Sequence, residues 1–166
     1  MGTYFTLRSC LGVPLLVLCL SGCHRQIVRS PDLTESPRLA ALHRHAAALA
    51  QKGSYAEAEA SYNDAYDLAL AERRPALASR YLANLGSLHY VRFEMRSALG
   101  YYLRALDLAE QAGDLPGAGG ISSNLTSLYL QMGNFAAARI GAERGLRQVG
   151  EAGPGEERAP LLMFLG

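Results

Sequence analysis

The sequence predicts an all-α chain, a solenoid of about three helix pairs followed by the start of a fourth. Three observations predict it. Ala58, Ala98 and Ala138 stand 40 residues apart, and Tyr62 with Tyr102, Ala65 with Ala105, and Leu85, Leu125 and Leu165 keep the same step. Leu82, Leu85, Gly86 and His89 follow the i, i+3, i+4, i+7 spacing of one helix face, and Ala98, Tyr102, Ala105 and Leu108 form a second such stripe after a short break. Proline and glycine then punctuate the chain at regular intervals, where helices are costly to continue.

The first element is a leader. Residues 1–22 carry Arg8, an apolar run from Leu11 to Leu20 and a small-residue exit, which is the layout of a secretory signal peptide. The run falls short of the roughly 20 apolar residues of a membrane span, and Pro14 interrupts it. Cys10 and Cys19 would leave with the leader, so Cys23 is the one cysteine of the mature chain and no internal disulfide can form. Residues 23–37 hold Ser30-Pro31-Asp32 and Ser36-Pro37 without sustained periodicity and read as a tether.

The repeats follow as 38–74, 75–114 and 115–154, with 155–166 opening an incomplete fourth. Gly53-Ser54 and Gly133-Asn134 suit tight helix–helix turns. Arg74-Pro75, Gly113 to Gly120 and Gly150 to Gly155 read as loops between units. Two departures stand out: His45 where leucine is expected, and Ala142 and Gly145 in place of Tyr102 and Ala105. The third unit is therefore expected to pack least well, since a lost aromatic leaves a cavity. Leu161 to Leu165 restarts the stripe without a polar cap, so the chain is expected to continue in a longer protein, or that C-terminal face to be covered by a partner or, through self-association, by a second copy.

Two resemblances can be named on these residues. Leu20-Ser21-Gly22-Cys23 resembles the lipobox of bacterial lipoproteins, which implies acylation of Cys23, palmitate among the acyl chains, and a chain anchored in the bacterial cell envelope. Each buried CH₂ contributes about 0.8 kcal/mol, so three acyl chains hold firmly. His24 stands where inner-membrane lipoproteins commonly have Asp, which implies the outer membrane with the domain facing the periplasm. Leu82-x-x-Leu85-Gly86-x-x-His89 with Ala98, Tyr102 and Ala105, and Gly53-x-Tyr55-x-x-Ala58-x-x-x-Tyr62-x-x-Ala65, resemble the tetratricopeptide repeat (TPR) in its 40-residue kinesin-light-chain form.

The repeat resemblance implies a concave groove lined by the first helix of each pair, gripping a peptide or helix of a protein partner. The matching positions are Arg44; Arg80, Asn84, Ser87 and Tyr90; and Asn124, Ser127 and Gln131. Asn84 and Asn124 recur at the period of 40 just before a leucine. In the kinesin-light-chain type such asparagines bond a peptide backbone, which an amide can do as donor and acceptor; the generic repeat consensus accounts for them equally well.

Composition excludes other classes. Sixteen basic against 15 acidic residues, with Lys52 the one lysine, lack the basic excess of a nucleic-acid binder. His24, His43, His45 and His89 form no metal constellation, and no nucleophile elbow or phosphate loop is present, so no catalytic residue, metal or cofactor is expected. Gly117-x-Gly119-Gly120 reads as a flexible loop. The sequence thus points to a non-enzymatic envelope lipoprotein acting as an interaction scaffold; the alternative is the N-terminal scaffold of a longer envelope protein with a catalytic or signalling domain.

Overall fold

A computed structural model describes residues 33–152. The leader, Cys23, most of the tether and the incomplete fourth repeat lie outside the described residues. Six helices follow one another: α1 (Pro37–Gln51), α2 (Tyr55–Ala71), α3 (Pro75–Val91), α4 (Met95–Gln111), α5 (Leu115–Gln131) and α6 (Phe135–Ala152). No strand occurs among the described residues. From α3 onward each helix begins 20 residues after the one before it, and α2 to α5 each have 17 residues. The 40-residue period is therefore two equal units.

One turn is reused at every junction. The residue at positions 53, 73, 93, 113 and 133 takes a positive φ, and the amide that follows it reaches back to the carbonyl five residues earlier, as in Ser54 to Leu49 at 3.0 Å and Asn134 to Tyr129 at 2.8 Å. This is the Schellman closure, which satisfies the last helical carbonyls. Gly53, Gly113 and Gly133 adopt it freely, whereas Arg73 (φ 56°) and Phe93 (φ 60°) carry a Cβ through the left-handed region.

Side chains cap the starts of α1, α5 and α6, whereas α2, α3 and α4 start without one. The Ser36 hydroxyl accepts from the Leu39 amide at 3.3 Å, and Asn134 Oδ1 accepts from Ala137 at 3.1 Å. Asp114 caps α5 by accepting from the Gly117 amide at 3.0 Å, with Pro116 in the first turn. The stretch from Leu115 to Gly120 is therefore helix and not the loop its glycine content suggests. Close packing keeps it glycine: a Cβ on Gly117 would strike the Asp114 carboxylate, and one on Gly119 would strike Val149 of α6. Gly150, also expected in a loop, lies within α6.

Consecutive helices pack in pairs and α3 also touches α5, so α1, α3 and α5 form one layer and α2, α4 and α6 the other. Alanines fill the crossings: Ala58, Ala65, Ala69, Ala98, Ala105 and Ala109 are fully buried. Tyr62, Tyr81, Tyr102 and the leucines occupy the spaces between them in one continuous core from α1 to α5. Ala142 and Val149 of α6 form a separate small cluster with Leu146. Polar bridges tie α6 to both neighbours: Ser122 of α5 donates to Gln148 at 2.9 Å, Gln148 donates to Glu110 of α4 at 2.5 Å, and Arg144 forks onto Glu110. His45, the departure in the first unit, is exposed, and its neighbour Ala46 faces the core in its place.

Replacing Phe93 or Arg73 with glycine relieves the left-handed backbone at the expense of unfolded-state entropy. Each variant is expected to gain about 0.5–1 kcal/mol in urea unfolding. An unchanged or lower midpoint in both would show that the turns carry no strain.

Candidate functional site

The described part of the stretch read as tether belongs to the folded body. Leu33 packs against the core, Ser36 donates to Glu72 at 2.9 Å, and Glu35 accepts from Tyr81 at 2.9 Å while lying 3.0 Å from His43 Nδ1. These contacts strap the chain entry across α1, the α2–α3 turn and α3. His43 also meets Tyr81 edge-on, with ring centroids 5.8 Å apart.

Beyond the strap, α1 and α3 border a hollow of about 280 Å³. Asn84, Ser87, Leu88 and Val91 line it from α3, Ala50 and Gln51 from α1, and Tyr55 and Tyr62 from α2. Of the groove residues expected from sequence, it gathers Asn84 and Ser87. Arg44 and Arg80 are exposed on α1 and α3, and Tyr90 is half-buried nearer the α3 C-terminus. Asn124, Ser127 and Gln131 occupy the corresponding α5 positions one period on, with Asn124 and Gln131 exposed.

Sequence reading missed Tyr55 and Tyr62 as the floor of this hollow. Both obey the repeat and were legible as packing residues; nothing in a linear pattern says that one edge of a ring faces solvent. The half-buried Ser87 is held in place, contacting the Tyr102 hydroxyl at 3.0 Å and donating to the Ala83 carbonyl at 3.1 Å. Among the described residues, the Asn84 and Asn124 side chains make no such hydrogen bond.

The electrostatics of this layer are one-sided. Helices α1, α3 and α5 contain no Asp or Glu, while α1 carries Arg38 and Arg44 and α3 carries Arg80. The acids of the helices sit on α2, α4 and α6. A ligand in the groove therefore meets amides, aromatic edges and arginines, an environment that favours neutral or acidic chains over basic ones.

Burial raises the tyrosine hydroxyls that frame the site. Tyr62 and Tyr102 are pushed up by loss of water, with the Ser87 contact partly opposing the shift at Tyr102. Tyr81 is pushed far above the ordinary tyrosine range by burial and then by its bond to the Glu35 carboxylate, against the pull of Arg80. No group of three metal-ligating side chains occurs among the described residues, and no described helix is long and apolar enough to cross a membrane.

No family model and no curated protein sequence matches the chain. Solved structures do. Aspartyl phosphate phosphatase F from Bacillus subtilis superposes with a TM-score of 0.70 at 22% identity, over 80% of this chain and 35% of that one. BtubC (BKLC) from P. vanneervenii superposes with a TM-score of 0.65 at 17% identity, over 82% of this chain and 58% of that one. The chain thus spans about a third of the first and under two thirds of the second. Fold and likeness together define the class: an all-α helical-repeat solenoid.

The raised tyrosines set an alkaline limit. A group whose folded value lies above its unfolded value contributes stability below the unfolded value, about 10 for tyrosine, and loses it as pH rises further. Ultraviolet titration is expected to show a late-ionising fraction, with unfolding midpoints falling above about pH 10. Tyr81→Phe is expected to remove part of that fraction; an unchanged profile would mean that Tyr81 ionises freely.

Proposed function

We propose that this chain is a non-enzymatic lipoprotein of the bacterial envelope that holds an extended segment of a partner protein in the groove between α1 and α3 and onward to α5. The observation that carries the reading is the pair of uncommitted amides, Asn84 beside a hollow of about 280 Å³ and Asn124 one period on, on helices without a carboxylate. Each amide can donate to and accept from a peptide backbone whatever its side chains. Tyr55 and Tyr62 offer apolar footing beneath, and Arg44 and Arg80 flank the path. Acylation of Cys23 supplies the anchor, and the outer membrane facing the periplasm is the location that His24 favours. The strap at Glu35 fixes where the chain from that anchor joins the body.

One experiment addresses both halves. A photo-crosslinking residue at Gln51, on the rim of the hollow, is expected to give a discrete adduct in the membrane fraction of cells expressing the chain. Asn84→Ala with Asn124→Ala should reduce that adduct about tenfold or more, equivalent to roughly 1.4 kcal/mol, with helicity intact. Cys23→Ser should move the protein out of the membrane fraction. An adduct indifferent to both asparagines contradicts the groove, and an unmoved Cys23→Ser protein contradicts the anchor.

A further inference from the structure

The outward faces of α2, α4 and α6 share a register and invert in charge along the array. One position holds Asp64, Arg104 and Arg144 in turn, and the position three residues on holds Asp67, Asp107 and Arg147; all six are exposed. Helix α2 has four acids and no base, whereas α6 has three arginines against two glutamates.

The middle of this face is apolar. Ile140 is 60% and Leu103 46% exposed, and the register of Ile140 holds Ala60 and Gly100 on the other two helices. The seam between α2 and α4 is filled by Tyr101, stacked on His89 with centroids 4.9 Å apart. At the same position in the next seam stands Gly141, and a hollow of about 180 Å³ opens there among Leu103, Leu106, Leu125, Tyr129 and Ile140.

We propose that a second copy of this chain covers this face, the two copies pairing outward face to outward face about a twofold axis that runs along α4. Rotation about that axis lays α2 of each copy along α6 of the other in the same direction. Asp67 then stands opposite Arg147, Asp64 opposite the Arg144 that Glu110 already holds within its own chain, and Ile140 opposite the small Ala60. Leu103 meets its own copy at the axis, where Arg104 can reach the other Asp107. The hollow seam falls opposite the filled seam that carries Tyr101.

Charge complementarity selects this arrangement. A twofold axis across the helices would set the acids of α2 against one another and the arginines of α6 likewise, and like charges in juxtaposition are costly. The contact is isologous, so it closes at two copies without a growing polymer. Both concave grooves face away from the contact. It is a different surface from the C-terminal face, and it does not depend on the groove binding a peptide.

Sedimentation velocity on the chain from His24 onward, which retains every contact described above, tests the pairing. Wild-type protein is expected to pass from monomer to dimer with rising concentration, less readily in high salt because exposed charges are screened beyond about 8 Å at physiological ionic strength. Asp67→Arg and Arg147→Glu should each weaken pairing about tenfold, and an equimolar mixture of the two should pair again, since both cross-contacts then match. Ile140→Asp should weaken it without changing the circular dichroism spectrum. A monomer at every concentration to about 1 mM, association indifferent to these substitutions, or variants that fail to recombine would each overturn the proposal. So would occupation of this face by a different protein alone.

Discussion

Close approach of helices at small residues is the constraint on which this molecule depends. At Gly86 of α3 the Tyr102 ring of α4 lies 2.7 Å from where a Cβ would be, so the pair can seat its aromatic only because the side chain is absent. Gly119 of α5 stands in the same relation to Val149 of α6. Fully buried alanines at 58, 65, 98 and 105 extend the principle along α2 and α4. Interiors are packed to near-crystalline density, so a single added carbon at such a crossing must displace the ring or side chain packed against it.

From that spacing the rest follows. Equal helices joined by one turn stack into two layers, and the layer of α1, α3 and α5 is left to line a groove. Tyr62 and Tyr102 belong both to the core and to the site: Tyr62 floors the hollow, and Tyr102 holds Ser87 at its edge. Charge is sorted by layer, with the helical carboxylates confined to α2, α4 and α6. One face of the solenoid is thereby suited to neutral or acidic chains and the opposite face to charge-matched packing.

Much of this was legible in the sequence because a solenoid repeats its contacts at a fixed interval. Ala58, Ala98 and Ala138 announced the period, and Asn84 and Asn124 announced an equivalent place on α3 and α5. The misreading of Leu115 to Gly120 has a physical origin. Glycine lowers helix propensity wherever it stands, but at Gly119 the helix tolerates it because Val149 occupies the space a side chain would need. A local pattern cannot register a partner 30 residues away. The same holds for the strap: Glu35 looks like a linker residue until Tyr81, far along the chain, is placed beside it.

The spacing of the helices rests most directly on the glycine–aromatic contact at the α3–α4 crossing. The most direct measurement is a double-mutant cycle in urea unfolding with Gly86→Ala and Tyr102→Leu. The alanine alone is expected to cost about 1–3 kcal/mol, and much less once the ring has been removed, a coupling well above about 0.5 kcal/mol. Losses that simply add within about 0.5 kcal/mol would mean that the helices are not spaced by this contact.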